Sequence, residues 1–254
     1  MFARTTLTVA TALTLLAIAR SAGAAEPAAP VLKLLTPEQV DPARILPPPP
    51  ADGSEAQKSD LAEIQHLYRI RSPERLAQAQ WDDTHESSVL FAGVLGPAFD
   101  LARLPRTAEL LALVENEEEA AAKMAKKHFR RNRPWAIDPS LKACDYEPNA
   151  NPKTSYPSGH ATLSYSVGLI LANLMPEKSQ AILTRAADYA YSRQICAAHY
   201  ASDTEASHVL GTVVALDLLS NAQFKPMLEA SRAELRAAGL TGAHMASAAP
   251  HPAP

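Results

Sequence analysis

Apolar residues recur along this chain at intervals of three and four rather than two. Leu61, Ile64, Leu67 and Tyr68 fall on one helical face, as do Leu110, Leu111, Leu113 and Val114. The stretch from Phe91 to Pro97 reads as a helix ending in a turn. A longer helix is predicted from about Thr107 or later to Arg133, where Pro134 stops it. Within it, the acidic run from Glu115 to Glu119, broken only by Asn116, reads as a solvated face. Prolines and short polar residues make 135–156 a loop. A new helix opens at Pro157, Ser158 and Gly159 and runs to Leu174, ended by Met175 and Pro176. Further helices are expected at Lys178–Ser192, Asp203–Ser220 and Lys225–Ala238. No stretch alternates as a strand would. The predicted fold is all-α, a single-domain helical bundle over 56–238.

The ends of the chain read differently. Arg4, the apolar run Leu7 to Ala19 and the small residues Ala22, Gly23 and Ala24 form an export signal over 1–24, with cleavage expected before Ala25. That run is short for a membrane span, and nowhere else do 18 apolar residues stand together. The mature protein is therefore expected in the periplasm or secreted, without stable membrane insertion. Residues 25–55, with Pro47 to Pro50, read as an extended lead-in, and 239–254 as a disordered tail.

Composition narrows the chemistry. Apolar residues make up 47% of the 254, enough for a substantial core. With 24 Lys and Arg against 27 Asp and Glu, the charge is too balanced for a nucleic-acid binder. The two cysteines, Cys144 and Cys196, read as a disulfide in an oxidising compartment. A zinc site would want more Cys and His at short spacings, and neither a metal nor a cofactor is expected.

Three polar segments stand out. Lys126 and Arg133 are seven apart, two turns of the predicted helix, and could project from one face; alone, the basic run would be a solvated cationic surface. Ser158 and Gly159 at a helix start offer amides and a dipole to a phosphate oxygen, with His160 beside it; alone, this would be an ordinary cap. Arg193 offers a planar fork for phosphate, while His199 and Asp203, four apart, can pair so that Nε2 is left as a nucleophile; alone, that would be a common surface ion pair.

Taken in order, the pattern K-x6-R-P, P-S-G-H and S-R-x5-H-x3-D is complete, from Lys126 and Arg133 through Pro157 to His160 and on to Ser192, Arg193, His199 and Asp203. It resembles the signature of the type-2 phosphatidic acid phosphatase superfamily, which also holds bacterial acid phosphatases and vanadium haloperoxidases. The segment from Ser192 to Asp203 is most similar to that of class A bacterial non-specific acid phosphatases, and the resemblance runs through about 85–238. It implies that Lys126, Arg133, Ser158, Gly159 and Arg193 bind phosphate. His199 would attack phosphorus, Asp203 would orient it, and His160 would protonate the leaving alcohol. The implied substrates are small phosphate monoesters. A vanadate-dependent haloperoxidase is the alternative, though its relatives are usually longer; a lipid or pyrophosphate phosphatase of the same superfamily is another. His66, His85, His128, His208 and His244 are read as structural or surface residues, and His251 belongs to the tail. Exposed helical faces leave room for a homodimer.

Overall fold

The computed structural model describes residues 30–242. The expected export signal, its cleavage site, His244, His251 and most of the tail lie outside them. Among the described residues the fold is helical and contains no strand. The short α1 (Pro42–Ile45) leads into α2 (Glu55–Ile70) and α3 (Pro73–Thr84). The short α4 (Ala92–Leu95) precedes the long α5 (Pro105–Phe129), and α6 (Pro134–Ile137) is a single turn. The body is completed by α7 (Gly159–Leu174), α8 (Ser179–Ile195), α9 (Ala201–Ser220) and α10 (Phe224–Ala237). No helix among the described residues is long and apolar enough to cross a membrane.

Local chemistry sets the starts. Ser54, Ser72 and Ser158 each accept an amide from the first turn of α2, α3 and α7, which satisfies one of the orphan donors every helix start carries. Pro73 and Pro105 occupy first-turn positions where no amide is needed. The α3 helix was not anticipated. Its apolar residues are few, and only Ala79 and Asp82 are buried, so the start signal of Ser72 and Pro73 carried it without a periodic face.

The α7 helix is apolar on nearly every side and sits at the centre, against α5, α8 and α9. Val167, Ile170 and Leu171 are fully buried, and truncating Ile170 or Leu171 to Ala would cost about 2–5 kcal/mol. The crossing with α9 is close: a Cβ on Gly211 would stand 2.7 Å from the Thr162 carbonyl oxygen. Only glycine lets the two backbones approach so nearly, and this fixes how the start of α9 sits beside the start of α7.

The structure corrects two sequence expectations and refines a third. The α5 helix ends at Phe129, not Arg133, because Arg130 adopts a left-handed conformation (φ 52°) that closes it. Arg133 is thus off the helix, and the shared face with Lys126 does not exist. The acidic run is not wholly solvated. Glu117 is buried and its carboxylate accepts the amides of Lys33 (2.6 Å), Leu34 (2.9 Å) and Leu35 (3.2 Å), while Glu118 is buried beside it. Those bonds dock the described part of the lead-in on α5, where Leu35, Val40 and Leu46 enter the core. At the other end, Leu240 packs into the same core.

Candidate active site

The three polar segments converge where α7 and α9 begin and α5 and α8 end. His199 lies in the turn between α8 and α9, not on a helix. The turn reverses through Ala197, whose φ of 52° is left-handed, and the Ala198 and His199 amides donate to the Arg193 carbonyl at 3.0 and 3.3 Å. A non-glycine residue in that region is strained, and here it delivers the histidine.

The expected direct pair with Asp203 takes a different form. His199 Nδ1 is 2.7 Å from the Ser155 carbonyl, which can only accept, so Nδ1 carries the proton. Asp203 Oδ2 is 3.5 Å from the same nitrogen. Its carboxylate instead accepts from the Ser155 hydroxyl (2.6 Å), the Tyr200 amide (2.9 Å) and Arg131 Nη1 (2.7 Å). Asp203 therefore holds Ser155 and the start of α9, and Ser155 holds the ring. Either acceptor selects the tautomer that leaves Nε2 unprotonated. Burial, then the charges of Arg133, Arg193 and Lys126, push the His199 pKa well below the usual histidine range.

The cations are linked through carboxylates. Arg193, in the last turn of α8, is fully buried. Its Nη1 donates to Asp83 and its Nη2 to Asp145 Oδ2 at 3.1 Å. Arg133 reaches the same Asp145 oxygen at 2.9 Å and the Ala198 carbonyl, next to His199, at 3.3 Å. Burial alone would raise the Asp145 carboxyl, but Arg193 and Arg133 outweigh it and hold it at about 2. The Nε of Arg193 is buried with no partner among the described residues, a donor suited to an added oxyanion.

Lys126, in the last turn of α5, comes to the start of α7: its Nζ lies 3.3 Å from where a Cβ on Gly159 would stand. The glycine keeps that approach open. Burial, followed by the charge of Arg133, pushes Lys126 down to about 8. Ser158 is fully buried; its hydroxyl accepts the Ala161 amide (3.3 Å) and its own amide donates to the Ser207 hydroxyl (2.9 Å). Its hydroxyl proton stays free to donate. The Gly159 and His160 amides, in the first turn, have no intrahelical acceptor.

His160 has an acceptor at each ring nitrogen: Glu86 Oε1 at 2.9 Å from Nδ1 and the Asp83 carbonyl at 3.0 Å from Nε2. Two acceptors suit a ring that donates from both nitrogens. Burial opposes the Glu86 charge, but His160, Lys126 and Arg193 outweigh it and keep its carboxyl below the ordinary range.

All eight residues singled out in the sequence thus stand in one connected site. Sequence reasoning missed Asp83, Glu86, Asp145, Ser155 and Arg131. Four of the five lie outside the three short patterns, and Arg131 inside the first is one of its unspecified positions; only the adjacency of Asp145 to Cys144 hinted at a tethered position. The disulfide itself is formed, with Cα atoms 5.1 Å apart across a separation of 52 residues. It ties the loop carrying Asp145 to the turn that carries His199. Among the described residues no three His, Cys, Asp or Glu side chains group as a metal site.

Comparison with known proteins agrees with the motif. The family model described as the PAP2 superfamily matches residues 111–225. An acid phosphatase of Zymomonas mobilis is 34% identical over 209 residues, covering 80% of this chain and 78% of that protein. Non-specific acid phosphatases of Providencia stuartii and Salmonella typhi are 29% and 30% identical, each over 78% of this chain and 82% and 81% of their own lengths. The chain belongs to the PAP2 superfamily and is similar there to bacterial non-specific acid phosphatases.

Proposed function

We propose that this protein is an exported acid phosphatase that hydrolyses small phosphate monoesters through a phosphohistidine at His199, without a metal ion. The observation that carries the reading is the state of His199: buried, neutral, its Nδ1 proton held by the Ser155 carbonyl, beside three cations. The names of the relatives supply the reaction class.

Phosphoryl transfer asks mainly for positioning and charge neutralisation. Arg193, Arg133 and Lys126 take the phosphate oxygens, with the Ser158 hydroxyl and the Gly159 amide completing the cradle. Nε2 of His199 attacks phosphorus as the P–O bond to the alcohol breaks, and the leaving oxygen takes the proton from His160. In the second half, His160 takes a proton from water, whose oxygen attacks phosphorus. The P–N bond breaks, and phosphate and neutral His199 are released. The low pKa of His199 keeps it unprotonated in acid, and Lys126 keeps its charge below about pH 8. Both requirements hold together on the acidic to neutral side.

The test is rapid quench with labelled substrate and peptide mapping. The label should sit on His199, be acid-labile and base-stable, and vanish with turnover in His199→Ala. Label on Ser158 or any other residue overturns the mechanism, and activity lost to EDTA and restored by Mg²⁺ or Zn²⁺ overturns its metal independence. A panel of nucleotides, sugar phosphates, pyrophosphate and lipid phosphates defines the substrate range. Halide oxidation after vanadate loading would favour the haloperoxidase alternative.

A further inference from the structure

One cationic feature lies beyond the phosphate cradle. Lys123, Lys126 and Lys127 follow one another at i, i+3 and i+4, which places them on one face of the end of α5, and Arg130, which closes the helix, lines the same cavity. Across from that face stand Lys153 and Thr154 from the loop before α7, and the two sides enclose a cavity of about 510 Å³. The cavity shares walls with the cradle at two points. Lys126 reaches Gly159 on its inner side, and the Thr154 hydroxyl accepts Nε of Arg133 at 3.2 Å. Lys123 is neutralised by Glu119 at 2.7 Å. Lys127, Arg130 and Lys153 are exposed and make no ion pair among the described residues. The cavity wall thus carries three solvent-facing cations without a carboxylate partner among the described residues, a positive field that attracts a further anionic group.

We propose that this cavity is a second anion subsite, which selects phosphate monoesters carrying a further phosphate group on the same small skeleton. The inference rests on the phosphatase reading above and names the substrate class of that site. One phosphate lies in the cradle against His199; the other lies among Lys127, Arg130 and Lys153. Lys127 neighbours Lys126 on α5 and Arg130 closes the same helix four residues beyond Lys126, so the second group sits roughly 5–10 Å from the first. That is the reach of a bisphosphate spread across a sugar, longer than that of two directly linked phosphoryl groups. The subsite binds ground state and transition state alike, so its contribution appears in KM rather than kcat.

The experiment uses the full-length mature protein and a matched pair, a hexose 6-phosphate and the corresponding hexose 1,6-bisphosphate, at low ionic strength. The bisphosphate should show a kcat/KM about tenfold or more above the monophosphate, almost all of it in KM, and the ratio should shrink with added salt. In Lys127→Ala/Lys153→Ala the ratio should fall towards one, while Lys127→Arg/Lys153→Arg should keep it. Circular dichroism establishes that each variant is folded. A ratio near one in the wild type, or a ratio that survives in the alanine variant, overturns the subsite while leaving the phosphatase reading intact. No turnover of either substrate overturns both.

Discussion

Replacing Arg131 by Met should weaken both the fold and the reaction, although Arg131 touches no part of the phosphate cradle. Its guanidinium donates to Asp203 (2.7 Å) and Ser202 (2.6 Å) through Nη1, and to Asp60 (2.7 Å) and Gln57 (2.8 Å) through Nη2. It lies over the Tyr200 ring at 4.2 Å. The side chain is 1% exposed and that of Asp203 is 0% exposed. Removing one partner of such a pair leaves the other charge buried, at about 3–5 kcal/mol. For a domain of this size that corresponds to a fall in Tm of roughly 10 °C. Asp203 would keep the Ser155 hydroxyl and the Tyr200 amide but lose its counter-charge, so the Ser155 carbonyl that holds His199 would shift. A misplacement of order 1 Å costs up to about 10²-fold, and it should appear in kcat with KM little changed. Urea unfolding without reductant and steady-state kinetics on p-nitrophenyl phosphate measure both quantities. The double variant Arg131→Met/Asp203→Asn tests the cause, because removing both charges should cost less than the sum of the single losses. Strict additivity, or a loss below about 1 kcal/mol in Arg131→Met, would refute the reasoning.

Other consequences are open to measurement. Lys126 carries its charge below about pH 8 and loses it above, so inhibition by sulfate, whose own charge is constant, should weaken by up to about tenfold per pH unit beyond that point. Lys126→Arg should flatten this limb, and an unchanged limb would point to another group. Glu86 engages Lys126 and His160, the groups the proposed mechanism assigns to substrate, and its side chain is 48% exposed. Glu86→Ala should therefore tighten sulfate binding, by no more than about fivefold; weaker binding would mean that the carboxylate supports the cradle instead. The Cys144–Cys196 bridge closes a loop worth ~4 kcal/mol in the chain-entropy model. Urea midpoints with and without reductant should differ accordingly, and thiol titration of the unfolded, unreduced protein should read near zero.

The helices that sequence anticipated best are those whose apolar residues must face a core. The α7 and α9 helices are bounded by strong local signals, and α7 is apolar on nearly all sides, so period and position agree. Errors fell where tertiary contacts overrode local preference. In the run from Lys126 to Arg133 only Asn132 and the position before Pro134 are unfavourable to helix, yet α5 already ends at Phe129. The chain leaves the helix at Arg130 so that Arg131 can turn inward to Asp203, and Arg133 to Asp145. Likewise, an acidic run looks solvated unless a distant segment brings amides to it. For Glu117 those amides come from more than 80 residues away, and no local pattern encodes them.

The site shows the same division in chemical terms. The eight motif residues were legible because the pattern fixes their spacing: a histidine before a helix start, another at a second helix start, and cations that meet there. The acidic residues were not legible, because what they do depends on the cradle as a whole. Arg193, Arg133 and Lys126 are too buried to remain uncompensated, and Asp83, Asp145 and Glu86 arrive from three separate stretches of chain to balance them. Asp145 stays ionised far into the acidic range, so lowering the pH does not release the arginines from it. A phosphate entering the cradle must therefore share the arginines with these carboxylates, using donors that are still free, such as Nε of Arg193. On the proposed phosphatase reading, this sharing would keep the affinity for the free phosphate product moderate, since an uncompensated cradle would hold product and substrate alike.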